Sequence, residues 1–143
     1  MSGELAIGDV VAEKTYSLTR ESLVRYAGAS GDFNPIHYRD DVAASVGLPG
    51  VLAHGMLTMG VAAQPVIEWI GDPGRVLDYQ VRFTRPVVVD PVEGAELAVV
   101  AKVGALEMVG EGSARREVAR VDLTVTYAGQ TVLGKAQLRV ALS

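Results

Sequence analysis

The stretch His54-Gly-Met-Leu-Thr-Met-Gly-Val-Ala-Ala-Gln-Pro-Val-Ile-Glu-Trp-Ile70 decides the fold. Wound at helical spacing it is apolar on nearly every side, which predicts a helix enclosed by its own domain rather than lying on the surface. Pro65 deletes one internal hydrogen bond, so a kink or a two-part helix is expected there. Gln64, Pro65 and Glu68 interrupt the apolar run, and the segment falls short of a membrane span.

Downstream of this helix the period changes. Leu77, Tyr79, Val81 and Phe83 alternate with Asp78, Gln80, Arg82 and Thr84, the two-residue repeat of a half-buried strand. The repeat returns at Leu97, Val99, Ala101 and Val103, at Val121, Leu123, Val125 and Tyr127, and at Gly134, Ala136, Leu138 and Val140. Ala128-Gly129-Gln130 reads as a hairpin turn between the last two strands. A helix can hide all its faces only if something curls around it, and a twisted antiparallel sheet of four to six strands can do so. The expected architecture is α+β, a long central helix wrapped by a curved antiparallel β-sheet. Its edge strands and part of the helix would be covered by pairing of two subunits.

Upstream, residues 9–18 read as an opening strand, and Thr19 can cap a short helix through about Ala29 that carries Leu23, Tyr26 and Ala27 at helical spacing. Gly28 to His37 is rich in turn formers, and Pro35 biases Asn34 away from helical angles. A second short helix is expected from Asp40 or Asp41 to about Val46, ended by Gly47-Leu-Pro-Gly50.

With 143 residues, 49% of them hydrophobic, the chain suits one domain over residues 1–143 that buries a core without disulfides. It has no cysteine, which excludes disulfides, thiolate nucleophiles and sulfur-ligated zinc and agrees with a reducing cytoplasm. The net charge of −4, with no block of Lys or Arg, argues against a nucleic-acid partner. The opening MSGELAIGDVVAEK lacks the apolar run of a signal peptide. A cytoplasmic protein without membrane insertion is expected.

The densest polar constellation is Ser30-Gly-Asp32-Phe-Asn34-Pro-Ile-His37. Histidine's ordinary pKa of about 6.5 lets it take and return a proton near neutrality, and a carboxylate desolvated by its pocket can be tuned upward toward the same range. Residue types alone leave two readings open: an acid–base pair, or a plain Asx-turn in which Asp32 or Asn34 bonds nearby amides and His37 only packs. The second constellation is Ala53-His54-Gly55-Met56 at the start of the central helix. A helix start offers unpaired N–H groups and partial positive charge to an oxygen that gains negative charge, and Gly55 would let substrate approach. His54 is read mainly as a hydrogen-bonded residue shaping the junction. Neither HExxH nor comparable ligand spacing is present, so no metal or other cofactor is expected.

The segment SGDFNPIHYRDDVA resembles the hydratase-2 motif of the MaoC-like dehydratases, and GDPG (Gly71 to Gly74) and YQVRFTRPV (Tyr79 to Val87) extend the likeness. Within that family the chain is most similar to the B subunit of the fatty acid synthase II 3-hydroxyacyl-ACP dehydratases. The resemblance implies a hot-dog fold and reversible, (R)-specific dehydration of 3-hydroxyacyl thioesters of CoA or acyl-carrier protein. It implies Asp32 and His37 as the catalytic pair, Asn34 as a residue arranging the site, and Gly55 N–H as the holder of the thioester carbonyl. It further implies a homodimer, or a heterodimer with a related hot-dog subunit. Some family members carry a serine on the central helix, where this chain has Gly60, Ala62 and Ala63. Competing readings are a hot-dog thioesterase and a silent acyl-binding partner subunit; the Asp-x-Asn-Pro-x-His spacing opposes the first, and retention of both Asp32 and His37 opposes the second.

Overall fold

In the computed structural model, which describes residues 4–143, strand β1 (Val10–Leu18) passes into helix α1 (Arg20–Ser30) at Thr19. Thr19 Oγ1 accepts the Ser22 N–H at 3.2 Å and Ser22 Oγ accepts the Thr19 N–H at 3.0 Å, a reciprocal cap for donors that the helix start leaves open. Gly31, left-handed at φ 78°, ends α1 by donating its N–H to the Ala27 carbonyl at 2.9 Å. A Cβ there would be strained, so the abrupt stop just before Asp32 depends on glycine. One tight turn, Pro35–His37, and helix α2 (Asp40–Ser45) follow.

Helix α3 (Gly55–Ile70) runs unbroken through Pro65. Thr58, Ala62, Ala63, Pro65 and Val66 form its buried face. The stripe Met56, Gly60, Gln64 and Glu68, spaced by four residues, is exposed. This agrees with the expectation that part of the helix stays exposed in a single chain. The sheet of one chain covers only one side of α3, and the apolar remainder, with Met56 at 59% exposure, lies bare.

The sheet comprises β1, β2 (Val76–Phe83), β3 (Ala95–Val109), β4 (Arg116–Tyr127), β5 (Gln130–Thr131) and β6 (Leu133–Ala141). Its order is β1-β3-β4-β6-β2, with short β5 beside β4, and every pairing is antiparallel. Leu97, Val99, Ala101 and Val103 of β3, Val121 and Val125 of β4, and Leu138 and Val140 of β6 point inward and are fully buried or nearly so. Each Val or Leu among them contributes about 1.5–3 kcal/mol by leaving water. The sheet curls around α3, which touches β1, β2, β3, β4 and β6, and this is the expected hot-dog arrangement.

The four strands expected after the helix are all present, but β3 and β4 are longer than the alternation suggests. Between Val103 and Ala105 the register slips, and beyond it the in–out pattern fades. One extended segment carries no such pattern at all. Val51 to Ala53 lies antiparallel to Val87 to Val89, with Ala53 N–H on the Val87 carbonyl and Val89 N–H on the Val51 carbonyl, both at 2.9 Å. This clamp fixes the chain entering α3. Among the described residues no helix is long and apolar enough to cross a membrane.

Candidate active site

Three side chains fold the loop after α1 by the same device. Ser30 Oγ accepts the Asp32 N–H at 3.1 Å, Asp32 Oδ1 the Asn34 N–H at 3.2 Å, and Asn34 Oδ1 the Ile36 N–H at 3.2 Å. Each short polar side chain caps the amide two residues on, which is why a Ser-x-Asp-x-Asn-Pro run closes into one compact loop. The Asx-turn reading is thus realised, yet it occupies only one oxygen of Asp32. Oδ2 lies 3.9 Å from His37 Nε2.

His37 does more than pack. Its Nδ1 lies 2.7 Å from the Leu52 carbonyl, and the Leu52 N–H returns a 3.1 Å bond to the Ile36 carbonyl. A carbonyl only accepts, so this bond places a proton on Nδ1 and leaves Nε2 to face Asp32. The His37 side chain is 11% exposed and that of Asp32 52%. One partner is thereby held rigidly, and the other meets solvent.

His54 stands behind the pair, 1% exposed. Its ring stacks on His37 with centroids 3.8 Å apart and planes 22° apart, and the Tyr26 ring meets it edge-on at 4.8 Å. Its Nε2 lies 3.1 Å from the main-chain carbonyl of Asp32, while Nδ1 is buried with no partner among the described residues. Burial pushes its pKa below the ordinary histidine value, a shift that the Asp32 carbonyl and carboxylate oppose and the His37 charge reinforces. His54 is therefore a neutral imidazole with its proton on Nε2.

A cavity of about 330 Å³ opens beside His37, lined among others by Gly55, Thr58, Phe83, Arg85 and Leu133. Gly55 starts α3, where N–H groups have no partner in the helix. The space that a Cβ on Gly55 would take is filled by the Phe83 ring, 2.9 Å away. Glycine at this position thus permits the close approach of the Phe83 ring.

The structure brings Asp32, His37, His54 and Gly55 to one corner of the fold. Asn34 lies there too but spends its side-chain oxygen on the Pro35–His37 turn. Neither Asp32 nor Asn34 lines the cavity. Thr58, Phe83 and Arg85 do, and sequence reasoning did not single them out. For Thr58 a signal existed: a lone hydroxyl in an apolar helix, three residues after Gly55. It supplies a polar group on the central helix where Gly60, Ala62 and Ala63 suggested none. Asp32, His37 and His54 offer ligating atoms within 4.8 Å of one another. Yet the two stacked rings direct their lone pairs along nearly parallel planes, and one nitrogen of each is committed to a carbonyl, so the set does not converge on a metal ion. What the corner can do is move protons beside a helix start.

Comparison with known proteins agrees with this chemistry. The family model described as the MaoC like domain matches residues 4–121. The "3-hydroxyacyl-thioester dehydratase X" of Mycobacterium tuberculosis is 36% identical over 81 residues, 57% of this chain and 28% of that relative. The chain thus matches little more than a quarter of that relative's length. A solved structure titled "MaoC-like dehydratase" superposes with a TM-score of 0.89 at 38% identity, over 98% of this chain and 41% of that one. An R-hydratase from Pseudomonas aeruginosa, in unliganded form, superposes with a TM-score of 0.76 at 30% identity, over 96% of this chain and 83% of that one. The chain belongs to the family of MaoC-like domains.

Proposed function

We propose that the chain catalyses reversible, (R)-specific dehydration of 3-hydroxyacyl thioesters to trans-2-enoyl thioesters, with Asp32 and His37 as the acid–base pair. The observation that carries this reading is the fixed tautomer of His37, whose free Nε2 faces Asp32 Oδ2 at 3.9 Å beside the start of α3. In hydration the thioester carbonyl rests against the Gly55 N–H, which takes up the negative charge of the enolate. Water adds to Cβ as it gives a proton to His37 Nε2, and Cα takes a proton from the pair by way of Asp32, so one proton enters the pair and one leaves it. The pair begins and ends with one shared proton, so passage from His37 back to Asp32 resets it. Dehydration is the reverse.

The substrate is a thioester of CoA or acyl-carrier protein, and the catalytic unit is residues 1–143 as a single domain. Its exposed α3 stripe and the unpaired edge of β2 favour a homodimer, or a heterodimer with a related hot-dog subunit, in which the partner covers both. The test is to incubate the protein with crotonyl-CoA and a longer 2-enoyl-CoA, following enoyl absorbance and free thiol. Hydration without thiol release is expected. Asp32→Asn and His37→Ala should each lower kcat by about 10²–10⁴-fold. Thiol release without hydration would overturn the reaction class, and full activity of both variants would overturn the pair.

A further inference from the structure

Three chain segments converge on His54. Its ring face lies on His37 of the Pro35–His37 turn, the steeply inclined ring of Tyr26 from α1 packs against it, and its Nε2–H reaches the main-chain carbonyl of Asp32. The residue itself sits at the entry to α3, clamped by the pairing of Val51–Ala53 with Val87–Val89. The ring is buried, and its Nδ1 is an acceptor with no donor among the described residues. Such an orphan lowers stability, and an apolar ring of similar shape would not carry it. Stability alone therefore does not explain an imidazole here. What imidazole offers and a phenyl ring lacks is a flat face and an in-plane N–H donor together.

We infer that His54 is a positioning residue that sets the distance between the two members of the proposed pair, holding the Asp32 main chain by its N–H and the His37 ring by its face. Neither contact brings His54 to the substrate. The Asp32 side chain has high exposure and one oxygen tied only to its own loop, so its placement relative to His37 relies on that main-chain anchor. A neutral ring is required as well: a proton on Nδ1 would be buried unpaired and face to face with the His37 ring as that ring takes up its own proton in turnover. The reading rests on the dehydratase assignment for its kinetic consequence, but the link between His54 and the Asp32 loop is independent of it.

The test uses His54→Phe, which keeps the stacking face and removes the donor, and His54→Gln, which keeps an N–H donor and removes the ring. The chain has only two histidines, so each variant leaves His37 as the single imidazole in the ¹⁵N spectrum. In the wild type, one histidine should show the Nδ1–H tautomer and the other the Nε2–H tautomer at pH 7. In His54→Phe the amide signals of residues 31–34 should shift while the Tm stays at or above that of the wild type, and kcat should fall by about 10–100-fold with KM within about threefold. In His54→Gln those loop signals should stay near their wild-type positions, with kcat above that of His54→Phe. Wild-type kcat in His54→Phe, unmoved loop signals, or kcat losses that follow Tm losses would overturn the positioning role. A wild type that hydrates nothing would instead overturn the dehydratase reading, with the loop signals still deciding the contact.

Discussion

Gly55 meets two demands at the residue scale. It must leave an N–H free at the helix start, and it must leave room for the Phe83 ring, which a Cβ would meet at 2.9 Å. Phe83 is 56% exposed and can swing aside, so Gly55→Ala should fold normally while pushing the ring into the cavity. We expect kcat/KM to fall by about tenfold or more, with partial recovery when Phe83→Ala is added; no recovery in the double variant would show that the ring is not the cause. His54 gives a second prediction at this scale. Its folded pKa is depressed, so the unfolded chain binds that proton first as pH drops. The stabilisation is complete above about pH 6.5 and is lost as pH falls below it. His37, Asp32 and Tyr26 are the groups that face the ring. The urea midpoint should decline between pH 7.5 and 5.5 in the wild type and decline less in His54→Phe. Asp40, Asp41 and Asp90, held low by Arg20, by Arg39 and by the Glu93 and Val92 amides respectively, lose their contribution in a separate, more acid window.

At the scale of elements, the period of the sequence carried most of the information. Helix α1 was legible from Thr19 and the spacing of Leu23 and Ala27, and β3, β4 and β6 from their alternation, because in each one face is buried and the other is not. Leu97 is fully buried in β3, so Leu97→Ala should cost about 2–5 kcal/mol in urea unfolding; a loss below about 1 kcal/mol would mean that the site collapses to fill the gap. The unread elements fail for physical reasons. Val87, Val88 and Val89 are consecutive apolar residues with no period, and their partner Val51–Ala53 lies far away in the chain, so only tertiary pairing makes them a clamp. The same holds for the site. Asp32 and His37 stood out through their spacing, but the Leu52 carbonyl that fixes His37's tautomer is a main-chain group and leaves no mark on sequence. Phe83 over Gly55 joins residues 28 positions apart, a contact that exists only after β2 has docked on α3.

For the whole molecule, the hydropathy of α3 reports its final environment rather than that of a single chain. The helix reads as enclosed, yet one chain leaves Met56, Gly60 and Gln64 open and, among the described residues, β2 without an outer neighbour. In the proposed dimer a second subunit would resolve that mismatch by covering both. Light scattering after gel filtration should give twice the chain mass, and Gly60→Glu on the open stripe should give the single-chain mass; a wild-type monomer that is fully active would remove the partner from the proposal. The central claim is that one carboxylate–imidazole pair, on one side of the substrate, handles both protons. Hydration of a 2-enoyl-CoA in D₂O tests it most directly. The expected product is the (R)-3-hydroxyacyl-CoA with a single deuterium at C2, added to the same face as the hydroxyl. Deuterium on the opposite face would contradict a pair that serves both carbons from one side.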